Sequence, residues 1–461
     1  MSQSRRQFLQ QSAAAAAAFA CARQGGGEAP PTRPNIVVLF TDDQRFDTVA
    51  ALGNPAIRTP NMDRLAARGT AFTQATIMGG LHGAICVPSR AMLHTGRHLF
   101  HLDGPGDVIP AQYTSLPETL RAAGYRTYAT GKWHNDRPAF NRMYNEGGPI
   151  FFGGMNDHFN AAIYDYDPTG KYPKEAERTT AGTHDAQVYT DAAVRFLQQD
   201  HSEKPFFLYV AYTMPHDPRT APPEFQSLYK PGEIELPPNF LPKHPFNNGE
   251  MDNRDERLAP WPRTPEVIRQ HLADYYASIT YVDAQIGRVL DALDARGLTG
   301  NTVVVFAGDN GLAVGRHGLM GKQSLYDHSI RVPMIFAGPG IPENTRRDTL
   351  CYHHDIYPTL CAAAGVSVPA TVESTSLLPA IHDPAVRPYT STFHAYRNVQ
   401  RAVRKDGYKL IKYSVGEETH TQLFKLSDDP WEMHDLSEKD APRVAALQAT
   451  LDEWRQRAEF H

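Results

Sequence analysis

Four short apolar runs, each stopping abruptly at polar side chains, constrain this chain more than any other feature. "NIVVLF" runs into Thr41-Asp42-Asp43, and "YRTYAT" into Gly131-Lys132-Trp133-His134. "PFFLYVAYT" runs into Met214-Pro215-His216-Asp217, and "NTVVVFAG" into Asp309-Asn310-Gly311. Runs of β-branched and aromatic residues without polar alternation read as strands buried on both faces. Helical patterns lie between them. "TSLPETLRAAGY" opens with a capping-box signature, Ser115 then Glu118, and Pro117 stands near the helix start. From Thr264 to Gly297, Ile268, Leu272, Tyr275, Ile279, Val282, Ile286, Val289 and Leu293 recur three or four residues apart, as one buried stripe. Strand–helix alternation predicts an α/β fold, a mostly parallel sheet flanked by helices. Ligands of such sheets bind beyond the carboxyl ends of the strands. One rim should therefore collect Asp42, Asp43, Lys132, His134, His216, Asp309 and Asn310.

The N-terminus reads as an address. "MSQSRRQFLQQSAAAAAAFAC" pairs Arg5 with Arg6 ahead of a short alanine-rich run, the pattern of a twin-arginine secretion signal. "AFAC" ending at Cys21 also fits a bacterial lipoprotein site, and both readings predict export to the periplasm, free or lipid-anchored. Residues 1–32 are thus signal and tether, 33–370 a catalytic domain, and 385–461 a small subdomain of antiparallel strands with a terminal helix. Residues 217–264, rich in Pro and polar groups, read as a long loop bordering the site. The net charge of −5 and the lack of a Lys/Arg run exclude a nucleic-acid-binding surface.

Asp42, Asp43, Asp309 and Asn310 form an all-oxygen set. "DD" and "DNG" are also ordinary turn signals, but arrival at strand ends favours a hard cation, Ca²⁺ ahead of Mg²⁺. Zinc is disfavoured there because no Cys/His ligand spacing accompanies the acids. Of the four cysteines, Cys21 falls in the signal. Cys351 and Cys361 fit either a bridge or separate packing. Cys86 opens a helical stretch whose N–H groups favour a thiolate, or it packs as a small apolar residue. Soft sulfur is a poor partner for a hard cation, so an oxygen at position 86 would suit the cluster better.

"CVPSRAMLHTGR", Cys86 to Arg97, resembles the signature of the type I sulfatases, C-x-P-S-R followed by T-G-R, with every fixed position present. "NIVVLFTDDQ", "GKWH", "MPHDP", "FAGDNG" and "HGLMGKQSLYDHSIRVP" are similar to other segments of that family, and "LFKLSDDPWEMHDL" to its C-terminal strand and turn. The resemblance implies the alkaline-phosphatase-like α/β sandwich and conversion of Cys86 to Cα-formylglycine by a separate formylglycine-generating enzyme. It implies that Asp42, Asp43, Asp309, Asn310 and modified Cys86 hold calcium. Arg90 would stabilise the aldehyde hydrate, Lys132 and Lys322 would grip sulfate, and His216 or Lys322 would protonate the leaving alcohol. His134 would take the proton that lets sulfate depart. His317 is a further candidate for substrate contact, with His82, His98, His101, His353, His354 and Arg45 behind it. The implied activity is hydrolysis of a sulfate ester, with a sulfated carbohydrate as the expected substrate class; a phosphonate or phosphate ester hydrolase on the same scaffold and a non-catalytic glycan-binding protein are the alternatives.

Overall fold

The computed structural model describes residues 33–459, so the expected secretion signal and Cys21 lie outside the described residues. All four apolar runs form strands. The main sheet comprises β1 (Asn35–Thr41), β2 (Gly69–Phe72), β3 (Arg126–Lys132), β4 (Glu146–Phe151), β5 (Phe206–Ala211), β6 (Thr302–Gly308), β7 (Met334–Ala337) and β8 (Thr345–Arg347). Their order is β8-β2-β7-β6-β1-β5-β3-β4. The runs ending in polar groups therefore occupy four adjacent central positions, β6, β1, β5 and β3, all mutually parallel. Only the pairings of β7, with β6 and with β2, are antiparallel within this sheet.

Strand periodicity explains the two layers of core. Ile36, Val38 and Phe40 of β1 point into one apolar cluster, while Val37 and Leu39 point into the other. Helix α1 (Cys86–Thr95) covers the first face through Ala91, Met92 and Leu93. Helix α2 (Leu116–Ala122) packs on the same side, and its start is the expected capping box: Glu118 N–H donates to Ser115 Oγ at 3.4 Å and Ser115 N–H to Glu118 Oε2 at 3.0 Å. Such a cap stabilises a helix by about 1 kcal/mol. The second face is covered by α3 (Asp185–Leu197) and by α4 (Pro265–Ala295), whose predicted stripe from Ile268 to Leu293 is buried throughout.

The chain then forms an antiparallel sheet of β9 (Ser391–Tyr396), β10 (Gln400–Lys405), β11 (Tyr408–Val415) and β12 (Glu418–Lys425), followed by α5 (Ala441–Ala458). A fifth strand, Gly79–Gly80, enters from the first half of the chain and pairs parallel with β9. Between the two sheets, residues 366–389 contain a short helix, Leu378–His382, with Leu377 and Ile381 buried in the same cluster as Ile36, Val38 and Phe40. Lys409, fully buried, joins the parts by pairing with Asp327 at 2.7 Å and with Glu432. Cys351 and Cys361 are buried free thiols, which settles their choice in favour of packing. Among the described residues no helix is long and apolar enough to cross a membrane.

Candidate active site

Register decides what meets at the rim. Thr41 pairs with Gly308, and Ala211 pairs with both Phe40 and Gly131, so the four strands end nearly level. The next residues of β1 and β6, Asp42-Asp43 and Asp309-Asn310, emerge side by side, and the Asp43 N–H donates to Asp309 Oδ1 at 3.0 Å. Gly131 is required before Lys132, because its φ is +99° and an added Cβ would lie 1.9 Å from the Ala211 carbonyl oxygen. Asp43 and His134, though not glycines, hold φ values of 63° and 68°, an unfavourable backbone retained at two residues of the rim.

Three acids meet three bases, each acid with its own nearest base, and Arg90 Nη2 also stands 3.6 Å from Asp42 Oδ2. Asp42 pairs with Lys132, and Lys322 Nζ donates to Asp43 Oδ1 at 2.6 Å. Arg90 donates to Asp309 Oδ2 through Nε at 3.1 Å and Nη2 at 2.9 Å, with Nη1 on the Lys132 carbonyl at 2.9 Å. Arg90 comes from the second turn of α1, so the helix that begins at Cys86 also carries its counter-charge. Cys86 Sγ lies 3.2 Å from His134 Nδ1 and 3.8 Å from Lys322 Nζ. His216, from the segment after β5, stands with Nε2 3.7 Å from Asp43 Oδ2 and Nδ1 donating to the Asp217 carbonyl at 2.8 Å.

Burial dominates the proton affinities here. It pushes the Cys86 thiol up to about 11 against the pull of Lys322 and Lys132, so the helix N-terminus does not make a ready thiolate. Burial and then repulsion by Asp42 raise Asp309 to about 7. Burial opposes ionisation of Asp42 too, but Lys132 and Arg90 hold its carboxyl well below the usual range. Burial, with Lys132 beside His134 and Lys322 beside His216, keeps both imidazoles neutral.

The cluster fits a hard cation. Asp42 Oδ1 and Asn310 Oδ1 are buried without a hydrogen-bond partner among the described residues. Donor atoms of Asp42, Cys86 and Asp309 lie within 4.8 Å of one another, as do those of Asp42, Asp43 and His216. Oxygens predominate in both sets, and position 86 is the one soft member.

A cavity of about 300 Å³ opens above Cys86, His134, His216 and Lys322. Its outer wall contains residues that sequence reasoning missed: Glu250, Asn253, Arg254, Asp255, Gln323 and Arg397, with Met155. Asn253 to Asp255 belong to the Pro-rich segment, which does border the site. Gln323 Nε2 donates to Asp255 Oδ2 at 2.8 Å, and Arg254 bridges Asp255 and Asp217. Arg397 arrives from the turn after β9 and pairs with Glu250 at 2.6 Å. Loop residues carry no periodicity, so only the adjacency of Gln323 to Lys322 gave any signal.

His317 is not brought to this cavity. It stacks on Tyr326 with centroids 3.9 Å apart, hydrogen-bonds Asn239 at 3.0 Å, and lines a different cavity with Phe246 and His420. Nor do the other reserve candidates line the catalytic cavity. Arg45 pairs with Asp47 at 2.5 Å, and His353 lies under α1 against Ser89 at 3.0 Å. His98 and His101 adjoin Glu373, His354 is buried beside His98, and His82 contacts Ala84. In each case a nearer partner than the rim was available within the fold.

A parallel sheet with acids, amides and bases at the carboxyl ends of its central strands, around one buried residue at a helix start, defines a hydrolase of the alkaline-phosphatase-like superfamily. The chain belongs to the sulfatase family: the family model described as Sulfatase matches residues 34–366. A second model, N-sulphoglucosamine sulphohydrolase C-terminal, matches residues 315–458. An ulvan-active sulfatase of Formosa agariphila is 29% identical over 92% of this chain and 80% of its own. An N-acetylglucosamine-6-O-sulfatase of Bacteroides thetaiotaomicron is 24% identical over 88% of this chain and 82% of its own. Among solved structures, one in complex with its substrate D-glucosamine-2-N,6-O-disulfate superposes with a TM-score of 0.78 at 21% identity, over 93% of this chain and 99% of that one, a likeness of fold.

Proposed function

We propose that this sulfatase removes sulfate from a sulfated carbohydrate, using formylglycine made from Cys86 and a bound calcium ion. The observation that carries the reading is the pairing of Asp42, Asp43 and Asp309 with Lys132, Lys322 and Arg90, three acids with three bases, around buried Cys86. The pairs cancel, so a divalent cation leaves a net positive pocket suited to an anionic ester. Asp42, Asp43, Asp309 and Asn310, with the modified residue 86, would hold calcium, which supplies Lewis-acid polarisation of the reacting oxygens. Formylglycine supplies, as its hydrate, a hydroxyl nucleophile where the raised thiol pKa leaves Cys86 itself unreactive. Cys86 is fully buried, so its conversion by a formylglycine-generating enzyme precedes closure of the fold.

The chain's own groups have separable duties. Lys132 and Lys322 bind sulfate oxygens, and Arg90 holds Asp309 and the start of α1 in place. His134 Nδ1, already 3.2 Å from the side chain at 86, accepts a proton there. His216 is neutral in the free site. A sulfate ester lying between the two ammonium groups offsets their charge and favours its imidazolium, the acid for the leaving oxygen, with Lys322 the second donor in reach. Carboxylates, amides and guanidinium groups at the cavity mouth suit hydroxyl-rich alcohols better than aryl ones. The paired arginines at residues 5 and 6 support action in the periplasm.

The Cys86→Ala variant tests this. It should fold, yet lose turnover of an aryl sulfate by about 10³-fold or more, as loss of a nucleophile does. Activity near that of the wild type overturns the mechanism. Faster hydrolysis of aryl phosphonate than of aryl sulfate would favour the phosphonate ester reading, and a panel of sulfated oligosaccharides identifies the sugar.

A further inference from the structure

Among the described residues, two groups of side chains outside the catalytic cluster have the composition of a metal centre, His158, His184 and Asp185, which the fold uses in hydrogen bonds, and His98, His101 and Glu373. His98 and His101 frame the turn Leu99–His101 that follows α1, in the spacing His-x-x-His. Glu373 joins them from the segment before Leu378–His382. Its Oε2 accepts the His98 backbone N–H at 2.8 Å, and its Oε1 lies 2.8 Å from His101 Nδ1. One donor atom from each of the three residues lies within 4.8 Å of the others. The two imidazoles are nearly parallel, 24° apart, with centroids 6.2 Å apart. A third imidazole, that of fully buried His354, stands edge-on to His98 at 5.7 Å.

The second observation concerns nitrogen atoms. His98 Nε2, His101 Nε2 and both ring nitrogens of His354 are buried, and none has a hydrogen-bond partner among the described residues. Buried polar atoms are ordinarily paired, and each neutral imidazole carries one N–H and one lone pair, so the three rings hold up to three lone pairs that a cation could accept. Arg97 Nη2 lies 3.3 Å from Glu373 Oε1 and shares its charge, while other guanidinium donors go to the His101 carbonyl at 2.6 Å and the Thr371 carbonyl at 2.9 Å. With the carboxylate partly neutralised, the imidazoles become the principal ligands, which selects a nitrogen-binding ion over calcium.

We propose that His98, His101 and Glu373 form a second, zinc-binding site, with water completing a four-coordinate shell. Cys86 begins α1 and His98 follows its end, about 15 Å along a ten-residue helix. The site is thus separate from the catalytic cluster and independent of the reading given above. Its effect would be structural, clamping the turn after α1 to the segment that carries Glu373.

The full-length protein, held in excess calcium, is titrated with zinc sulfate, desalted, and its zinc counted by inductively coupled plasma mass spectrometry. Wild type should retain one zinc per chain more than the His98→Gln/His101→Gln double variant, and zinc should raise Tm only in the wild type. Equal retention by both proteins overturns the proposal, as does half-saturation of the wild type above about 100 µM. Should the double variant not fold by circular dichroism, Glu373→Gln replaces it. A tenfold or greater loss of zinc affinity is then expected, and unchanged affinity overturns the proposal.

Discussion

His158 Nε2 lies 3.3 Å from the carbonyl oxygen of His216, while its Nδ1 faces Asp185 Oδ2 at 3.0 Å. Asp185 also accepts from Thr213 Oγ1 at 2.6 Å and from Asn156 Nδ2 at 3.0 Å. A buried imidazole thus spans from the start of α3 to the segment presenting His216, and fixes where that ring stands. His158→Leu should lower kcat on an aryl sulfate by about tenfold with little change in KM, since ground-state sulfate contacts remain. His158→Gln, which keeps a donor, should recover part of it. Steady-state kinetics of both variants, alongside near-ultraviolet circular dichroism, check the prediction.

Removal of divalent ions should abolish turnover without unfolding the protein, because Asp42, Asp43 and Asp309 each retain a cationic partner. Dialysis against a chelator, followed by readdition of calcium, should return activity. Asp309→Ala should weaken calcium binding and leave Arg90 buried without its main partner, a change that calorimetric titration and a thermal scan record separately.

Lys409→Met should destabilise the fold by about 3 kcal/mol, the usual cost of stripping one partner from a buried ionic network. Asp327 and Glu432 would both lose their ammonium partner, although Arg331 and Arg404 still face Asp327. Urea unfolding compared with the wild type measures the difference.

Acid should destabilise the protein through buried neutral histidines. Burial, assisted by Arg90, pushes His94 down to about 3, and its ring packs against Trp133 and Tyr209. A histidine depressed in the fold contributes stability that is complete above about 6.5 and is lost as pH falls toward the folded value. Between those limits each such residue adds a slope of about 1.4 kcal/mol per pH unit. Stability measured from pH 7 to pH 4 should fall less steeply in His94→Leu than in the wild type.

Much of the centre was legible because it is local. Asp42 and Asp309 follow their strands directly, Lys132 ends β3, His216 comes five residues after β5, and Cys86 and Arg90 stand four residues apart on one helix. The chemistry is therefore written next to the apolar pattern that positions it. His317 shows the opposite case: it lies five residues from Lys322, yet the turn at Gly315 to Leu319 carries it to Tyr326 and Asn239. Proximity along a loop does not fix direction in the way that a strand end does.

The sequence alone determined the four buried strands, the capped helices and the set of acids and bases at one rim, because period and side-chain chemistry act over a few residues. Tertiary structure alone decided the outer wall, where Asp255 from a long loop, Gln323 beside Lys322 and Arg397 from the second sheet meet over one cavity. It also decided which base faces which acid. Those outcomes depend on strand register and on how distant segments pack, and no short stretch of chain encodes either.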